Sequence, residues 1–374
     1  MQQTLLPTQP HLSQVGPALQ LQGVARSYGP YRALHGVDLT VEAGSFVSLL
    51  GPSGSGKTTL LRLIAGFEAP TSGRILIDGQ DMTGVPAHRR PVGVVFQNLA
   101  LFPHLTVGGN VAFGLGVRRT PRDEAARRVA AALAMVDLPG LEDRRVHEMS
   151  GGQRQRVALA RALVLHPAVL LLDEPLSALD LKLRQMLQDE LKHIQRRSGA
   201  TFVFVTHDQD EALRLSDRIA VVNRGRIEQV GTADEIYDRP CTAFVAGFVG
   251  DTNMLPGRIA AAAPGRVAIA LDGLGIIMEA PCHAAVSPGG TAALSVRPEN
   301  LVLGQADGMA AMVQDVTYAG ARVRYALQVG GRPFLADIAV RPGSGERMQA
   351  GARTTVGWAA ADSVIVPVHE GATA

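Results

Sequence analysis

The chain is poor in cysteine and aromatic side chains, has almost no excess of charge of either sign, and lacks any long apolar run. Cys241 and Cys282 are the two cysteines of its 374 residues, and neither sits in a Cys-x-x-Cys pair. Inert thiols in a reducing compartment are the expectation. No stretch of about 18 uninterrupted apolar residues occurs, the length a membrane-crossing helix needs. Residues 1–18 carry no charge apart from His11. They lack the basic start and apolar run of a secretory signal, so a flexible arm on a soluble, cytoplasmic chain is expected. Basic and acidic residues nearly balance, 36 against 34, for a formal net charge of +2. That excludes a broad nucleic-acid-binding face, which needs concentrated positive charge.

What is present is an alternation of strand and helix patterns over a length that suits two domains. Residues 19–45 alternate apolar and polar around "RSYGPYRAL", which predicts short antiparallel strands. "SFVSLLG" reads as a buried strand entering a glycine-rich loop, and "KTTLLRLIAG" as a mostly apolar helix closed by Gly66. A strand and loop follow at "VGVVFQN", then mainly helix from about 98 to 165. Thr120 and Pro121 with Asp123 and Glu124 suit a helix start: hydroxyl cap, proline in the first position, acids in the first turn. "AVLLLDEP" and "TFVFVTH" are continuous apolar strands, as in a sheet covered on both faces. Between them Leu183, Leu187, Leu191 and Ile194 mark one face of a long helix ending near Gly199. Such alternation implies a mostly parallel α/β sheet. Near residue 240 the composition changes, and "DRPCTAFVAGFVGDTN" reads as a connecting helix and linker. Short Gly-, Pro- and Val-rich strands follow. "LSVRPENLVL" (294–303) and "VGWAAADSVI" (356–365) form a weak repeat, which suggests a tail of small duplicated β-barrels.

The stretch Gly51, Pro52, Ser53, Gly54, Ser55, Gly56, Lys57, Thr58, followed by Thr59, matches the phosphate-binding P-loop pattern in full. Its glycines let backbone N–H groups turn inward around phosphate oxygens, and the following helix adds its positive end. Lys57 should reach the β and γ phosphates, and the Thr58 hydroxyl should serve Mg²⁺. Asp173 and Glu174 end the apolar strand Val169–Leu172, where strand ends face a ligand crevice. Asp173 is placed to hold Mg²⁺ through water, and Glu174 to act as general base on an attacking water. Gln97 and His207 also follow strands. Gln97 suits Mg²⁺ ligation and sensing of the γ-phosphate, and His207 a hydrogen bond to that phosphate. A lone Gln or His at a strand end is usually structural, and it is the joint placement that raises these two.

A second glycine-rich turn lies at "HEMSGGQRQRVALARAL". Ser150 and Gln153 have capping-box spacing. Gly151 and Gly152 leave the helix start bare, although glycine costs roughly 1 kcal/mol there. Bare N–H groups make an anion site. Since the chain already cradles one nucleotide, this turn is expected to serve the ATP of a second copy, two chains sandwiching two nucleotides.

Together these motifs resemble the ATP-binding subunit of ABC transporters. "GPSGSGKT" resembles Walker A, "VLLLDE" Walker B, and "MSGGQ" the ABC signature, with Met149 in place of the common Leu. Gln97 corresponds to the Q-loop, His207 to the H-loop, and "SALD", Ser177 to Asp180, to the D-loop; Tyr28 stands where the family places an aromatic that stacks on adenine. "SVRPENLVL" resembles the Arg-Pro-Glu strand of the OB-like TOBE domain, found on bacterial import ATPases for polyamines, ferric iron, sulfate and sugars. "FVGDTNMLPGRI" is most like the spermidine/putrescine group, while "VVFQNLALFPHLTVGGNVAFGL" is shared with iron and sulfate relatives.

The resemblance implies an α/β P-loop ABC ATPase domain with an antiparallel β subdomain and a helical subdomain, then an all-β OB-like TOBE domain. The expected division is an arm over 1–18, the ATPase over 19–240, a linker over 241–251 and the β domain over 252–374. It further implies ATP and Mg²⁺ as cofactors, Asp180 in the nucleotide site, and a homodimer of ATPase subunits. Two integral membrane permease subunits would be met around Leu101 to Val107, and an extracytoplasmic solute-binding protein would act indirectly. The chain would lie on the cytoplasmic face of the inner membrane. A soluble ABC ATPase acting on DNA or ribosomes would instead carry tandem nucleotide domains, helical-hairpin insertions or basic tails. A β tail that regulates by binding a small anion or signalling partner remains compatible with transport.

Overall fold

A computed structural model describes residues 16–176, 181–263, 266–340 and 347–368. The chain divides into two compact units, one up to Ala233 and one from Asp234.

The first unit opens with β1 (Pro17–Tyr28) and β2 (Tyr31–Glu42), a hairpin of two twelve-residue strands. These are antiparallel as expected but longer, and β1 starts at Pro17, ahead of the anticipated 19. With β4 (Ser72–Ile77) and β5 (Gln80–Asp81) they form a four-stranded antiparallel sheet in the order β2-β1-β4-β5. The second sheet has six strands. It holds β3 (Phe46–Leu50), β6 (Val92–Val95), β7 (Val169–Asp173), β8 (Thr201–Thr206), β9 (Arg218–Asn223) and β10 (Arg226–Gly231), in the order β10-β9-β3-β8-β7-β6. All its pairings are parallel except β9 with β10.

The continuous apolar runs follow from coverage on both faces. Phe202 and Phe204 enter one core and Val203 and Val205 the other, as the period of two requires. The first core holds α2 (Val107–Val117), α3 (Arg122–Met135), α4 (Gly151–Leu163) and α5 (Leu181–Ser198). Leu187, Leu191 and Ile194 bury the expected face of α5; the side chain of Leu183 lies outside the described residues. The second core joins the hairpin to α1 (Lys57–Ala65), which Gly66 closes at φ +79°. One cap differs from expectation. Pro121, not Thr120, stands at the N-cap of α3 and has no polar side chain to offer, while the Thr120 N–H turns back to the carbonyl of Leu115. A short α6 (Gln209–Leu215) links β8 to β9.

After α7 (Ala233–Asp238) and α8 (Ala243–Phe248), the second unit is built of two five-stranded antiparallel sheets. One contains β11 (Asn253–Ala263), β12 (Arg266–Leu271), β13 (Ile276–Ala280), β14 (Thr291–Val296) and the last strand, β20 (Ser363–Pro367). The other contains β15 (Val302–Leu303), β16 (Met309–Tyr318), β17 (Arg322–Val329), β18 (Arg332–Ala339) and β19 (Arg353–Gly357). The repeat seen in the sequence is real in three dimensions. Each copy is a strand, a 3₁₀ turn and a strand, and the copies pair reciprocally, β14 with β20 and β15 with β19. The result is two sheets exchanging strands rather than one barrel per copy.

The residues expected to act as a linker belong with this second unit. Arg297, buried at the end of β14, donates to the carbonyls of Ala246 at 3.0 Å, Asp251 at 3.1 Å and Tyr237 at 2.8 Å. Its guanidinium lies 4.1 Å from the Tyr237 ring. The Tyr237 hydroxyl donates to Glu299 at 2.6 Å, and burial followed by that carboxylate pushes the phenol up to about 12. Asn253 ties the two sheets by giving and accepting bonds with the backbone of Leu335.

Candidate active site

Parallel register brings the expected residues to one edge. Leu50 is opposite Thr206, Asp173 opposite Val205, and Val95 opposite Leu172. The residues that follow these positions, Gly51, Glu174, His207 and Gln97, therefore leave the sheet at the same carboxyl edge. Sequence order scatters them, and the strand pairing gathers them.

The loop Gly51–Thr59 needs glycine for steric reasons. A Cβ on Gly51 would meet the Val222 carbonyl at 2.1 Å, and one on Gly56, at φ +106°, would meet Leu34 at 2.9 Å. Gly56 is also the N-cap of α1 and supplies no side chain, so the helix start keeps its N–H groups for an anion. Pro52, Thr58 and Thr59 are partly exposed, Ser53 and Gly54 exposed, and Ser55 buried. The Lys57 ammonium is buried and donates to the carbonyls of Gly51 at 2.7 Å and Pro52 at 2.9 Å. Burial lowers its pKa, and the charges of Glu174 and Asp173 oppose that shift. Asp173 is raised by burial first and then by Glu174, while Arg62 and Lys57 pull it down. Lysine and both acids thus feel one another across the loop.

Glu174 has left-handed backbone at φ +43°, a costly conformation for a residue with a Cβ, and its N–H is fixed on the Val205 carbonyl at 3.1 Å. His207 Nδ1 lies 3.3 Å from its carboxylate. Behind His207, Thr206 donates to the buried Glu211 at 2.6 Å, and Arg184 of α5 reaches Asp208 at 3.0 Å. Gln97 is exposed beyond β6. Asp180 and the rest of "SALD" lie outside the described residues.

Tyr28 ends β1 with its ring 42% exposed, which leaves room for a flat partner. Arg26 lies 4.6 Å from the ring centroid, and the hydroxyl donates to Glu68, which also pairs with Arg26 at 3.3 Å. Arg26 was open to sequence reading, since strand residues two apart share a face. Glu68 was not, being bonded across 40 positions.

Ser150 caps α4 with the full capping box: its side chain accepts from the Gln153 N–H at 3.3 Å, and Gln153 accepts from the Ser150 N–H at 2.9 Å. A Cβ on Gly151 would meet nothing within 4 Å, so no contact inside the chain demands glycine there. Gly152 is buried.

Comparison with known proteins shows the family. Residues 34–177 match the ABC transporter family model and residues 294–366 the TOBE domain model. Among solved structures, cbiO1 from Clostridium perfringens, part of the ABC transporter complex cbiONQ, superposes with a TM-score of 0.56. It is 32% identical and covers 59% of this chain and 90% of its own. The bacterial ABC transporter cassette MJ0796, solved as a dimer, gives 0.50 at 33% identity, covering 57% and 98%. Fold and site together define an ATP-binding ABC ATPase carrying a TOBE domain. Curated spermidine/putrescine import ATP-binding proteins (PotA) are similar over most of their length. That of Acidothermus cellulolyticus is 50% identical over 91% of this chain and 92% of its own, and that of Rubrobacter xylanophilus 50% over 84% and 85%. The chain belongs to the family of these import ATP-binding proteins. Among the described residues no helix is long and apolar enough to cross a membrane.

Proposed function

We propose that the chain is the ATP-hydrolysing motor of a bacterial importer for polyamines of the spermidine/putrescine group. The observation that carries this reading is the single sheet edge holding Lys57, Asp173, Glu174 and His207 in a chain half identical to such importers' ATPases. Tyr28 stacks the base. Lys57 exchanges neutral carbonyl acceptors for phosphate oxygens, which form the stronger charge-assisted bonds. Glu174 takes a proton from the attacking water, and its anchored backbone keeps the carboxylate from turning away. His207, beside that carboxylate, bonds the γ-phosphate and holds the water between them.

Mg²⁺ fits the donors on offer. Thr58, Asp173 and Gln97 supply hydroxyl, carboxylate and amide oxygens, the hard ligands this ion takes. Among the described residues no three His, Cys, Asp or Glu side chains gather to hold a metal alone, which suits an ion shared with phosphate oxygens. When bound it would neutralise charge on the β and γ phosphates.

The open Ser150–Gln153 helix start supports a homodimer in which each copy completes the other's site. Two permease subunits would meet the surface from Leu101 to Val107 at the cytoplasmic face of the inner membrane, and a separate binding protein would deliver cargo. The test is uptake of labelled spermidine, putrescine, ferric iron and sulfate by cells carrying the native chain or Glu174→Gln. Loss of polyamine uptake alone is expected. Loss of another solute with polyamine uptake intact would reject the cargo.

A further inference from the structure

The segment after Gln97 has two successive non-glycine residues in left-handed backbone, Leu99 at φ +60° and Ala100 at φ +46°. Each such residue costs of order 1 kcal/mol or more unless its surroundings impose it. One side chain supplies that imposition. Arg161, in the last turn of α4 and about three turns from Ser150, donates through Nη2 to the Leu99 carbonyl at 2.8 Å and through Nη1 to the Ala100 carbonyl at 2.6 Å. The planar fork fits two adjacent carbonyls at once, which a lysine point charge does not. Its guanidinium also lies 5.8 Å from the Phe102 ring, which packs on Phe113 of α2 at 4.5 Å. Asn110 of α2 holds the backbone of Phe102 from the other side, its Oδ1 accepting at 2.8 Å and its Nδ2 donating at 3.1 Å. Burial lowers the pKa of Arg161, and no carboxylate contributes to offset it. A half-buried cation satisfied by loop carbonyls, with no carboxylate to balance it, is a poor stability device, so its value lies in the loop it holds.

We propose that Arg161 is a positioning residue that fastens the Gln97 loop to α4, so that Gln97 and the Ser150 helix start move as one body. The inference rests on the reading of Gln97 given above. Gln97 works on one nucleotide, and the start of α4 on the nucleotide of the second copy. A rigid strut between them makes closure on one side set the geometry on the other.

The experiment compares the full chain with Arg161→Lys, Gln97→Ala and the double variant. ATP turnover, KM for ATP and amide hydrogen exchange are measured, with a thermal midpoint as the check on folding. For Arg161→Lys a fall in kcat of about tenfold is expected, the scale on which a misplaced group slows a reaction, with KM within about twofold. Exchange should quicken across 97–102 and stay unchanged in α2. The double variant should be no slower than the slower single one, because both changes remove the same contribution. Native kcat in Arg161→Lys, or losses that multiply in the double variant, would overturn the inference while leaving Gln97's role standing. Native turnover in Gln97→Ala would remove that role and this inference with it.

Discussion

The carboxyl edge of the parallel sheet and the turn around Arg297 both bury polar groups, and they are finished in opposite ways. Around Arg297 each strong donor meets an acceptor: four backbone carbonyls and an aromatic face for the guanidinium, a carboxylate for Tyr237. Nothing there is strained. At the sheet edge, Lys57 leans on neutral carbonyls, Asp173 is pushed up by burial and by Glu174, and Glu174 is held at φ +43°. A completed network does architectural duty. A strained group with incompletely balanced charge is where chemistry is kept waiting.

Substitutions should separate the two regions. Glu174→Gln keeps the shape of the strained residue and removes its basicity. Phosphate release should fall by about 10²- to 10⁴-fold, with the thermal midpoint unchanged. Arg297→Met should do the reverse. It takes the guanidinium donor from four carbonyls, so denaturant titration should show the second unit destabilised by about 3 kcal/mol while ATP turnover stays native. Gly56→Ala mixes both effects. A methyl at φ +106°, 2.9 Å from Leu34, should cost about 2 kcal/mol of stability and weaken nucleotide binding, as isothermal titration would record.

The smallest effect concerns Glu211, whose pKa is raised by burial above its ordinary value, with Thr206 and Arg184 opposing. The folded chain then keeps this proton to higher pH than the unfolded chain does. Stability is full below the unfolded pKa and declines as pH rises through the raised one. Glu211→Gln should lack that decline, gaining on the native chain as pH rises from acid to neutral in a series of thermal midpoints. A native chain that instead gained stability over that range would remove the assigned cause.

Strand-end chemistry was legible because apolar runs end abruptly in polar residues. "VLLLDE" and "FVFVTH" announce both the buried strand and its carboxyl edge. The glycine pattern of the P-loop was equally open, since steric demands at Gly51 and Gly56 leave few substitutes. The clamp of Glu68 on Tyr28, the fork of Arg161 and the knot of Arg297 were closed to sequence reading. Each joins residues 40 or more positions apart through backbone atoms or one carboxylate, and leaves no periodic trace. Thr120 misled as well: the cap falls one residue later, at Pro121. The division at residue 240 followed composition, whereas contact places 234–251 with the β unit because Arg297 reaches back to them.

The reciprocal pairing of the two repeat copies constrains how the protein can be made. Ala292 lies opposite Pro367, so the first β sheet of the second unit lacks an edge strand until the last described strand has left the ribosome. Until then β14 presents open N–H and C=O groups, the template from which unintended pairing begins. A premature stop between β15 and β19 would damage both sheets together, and one between β19 and β20 the first sheet alone. Loss of the final strands should therefore be more damaging than loss of the whole second unit, because it leaves an open sheet edge where unintended pairing begins.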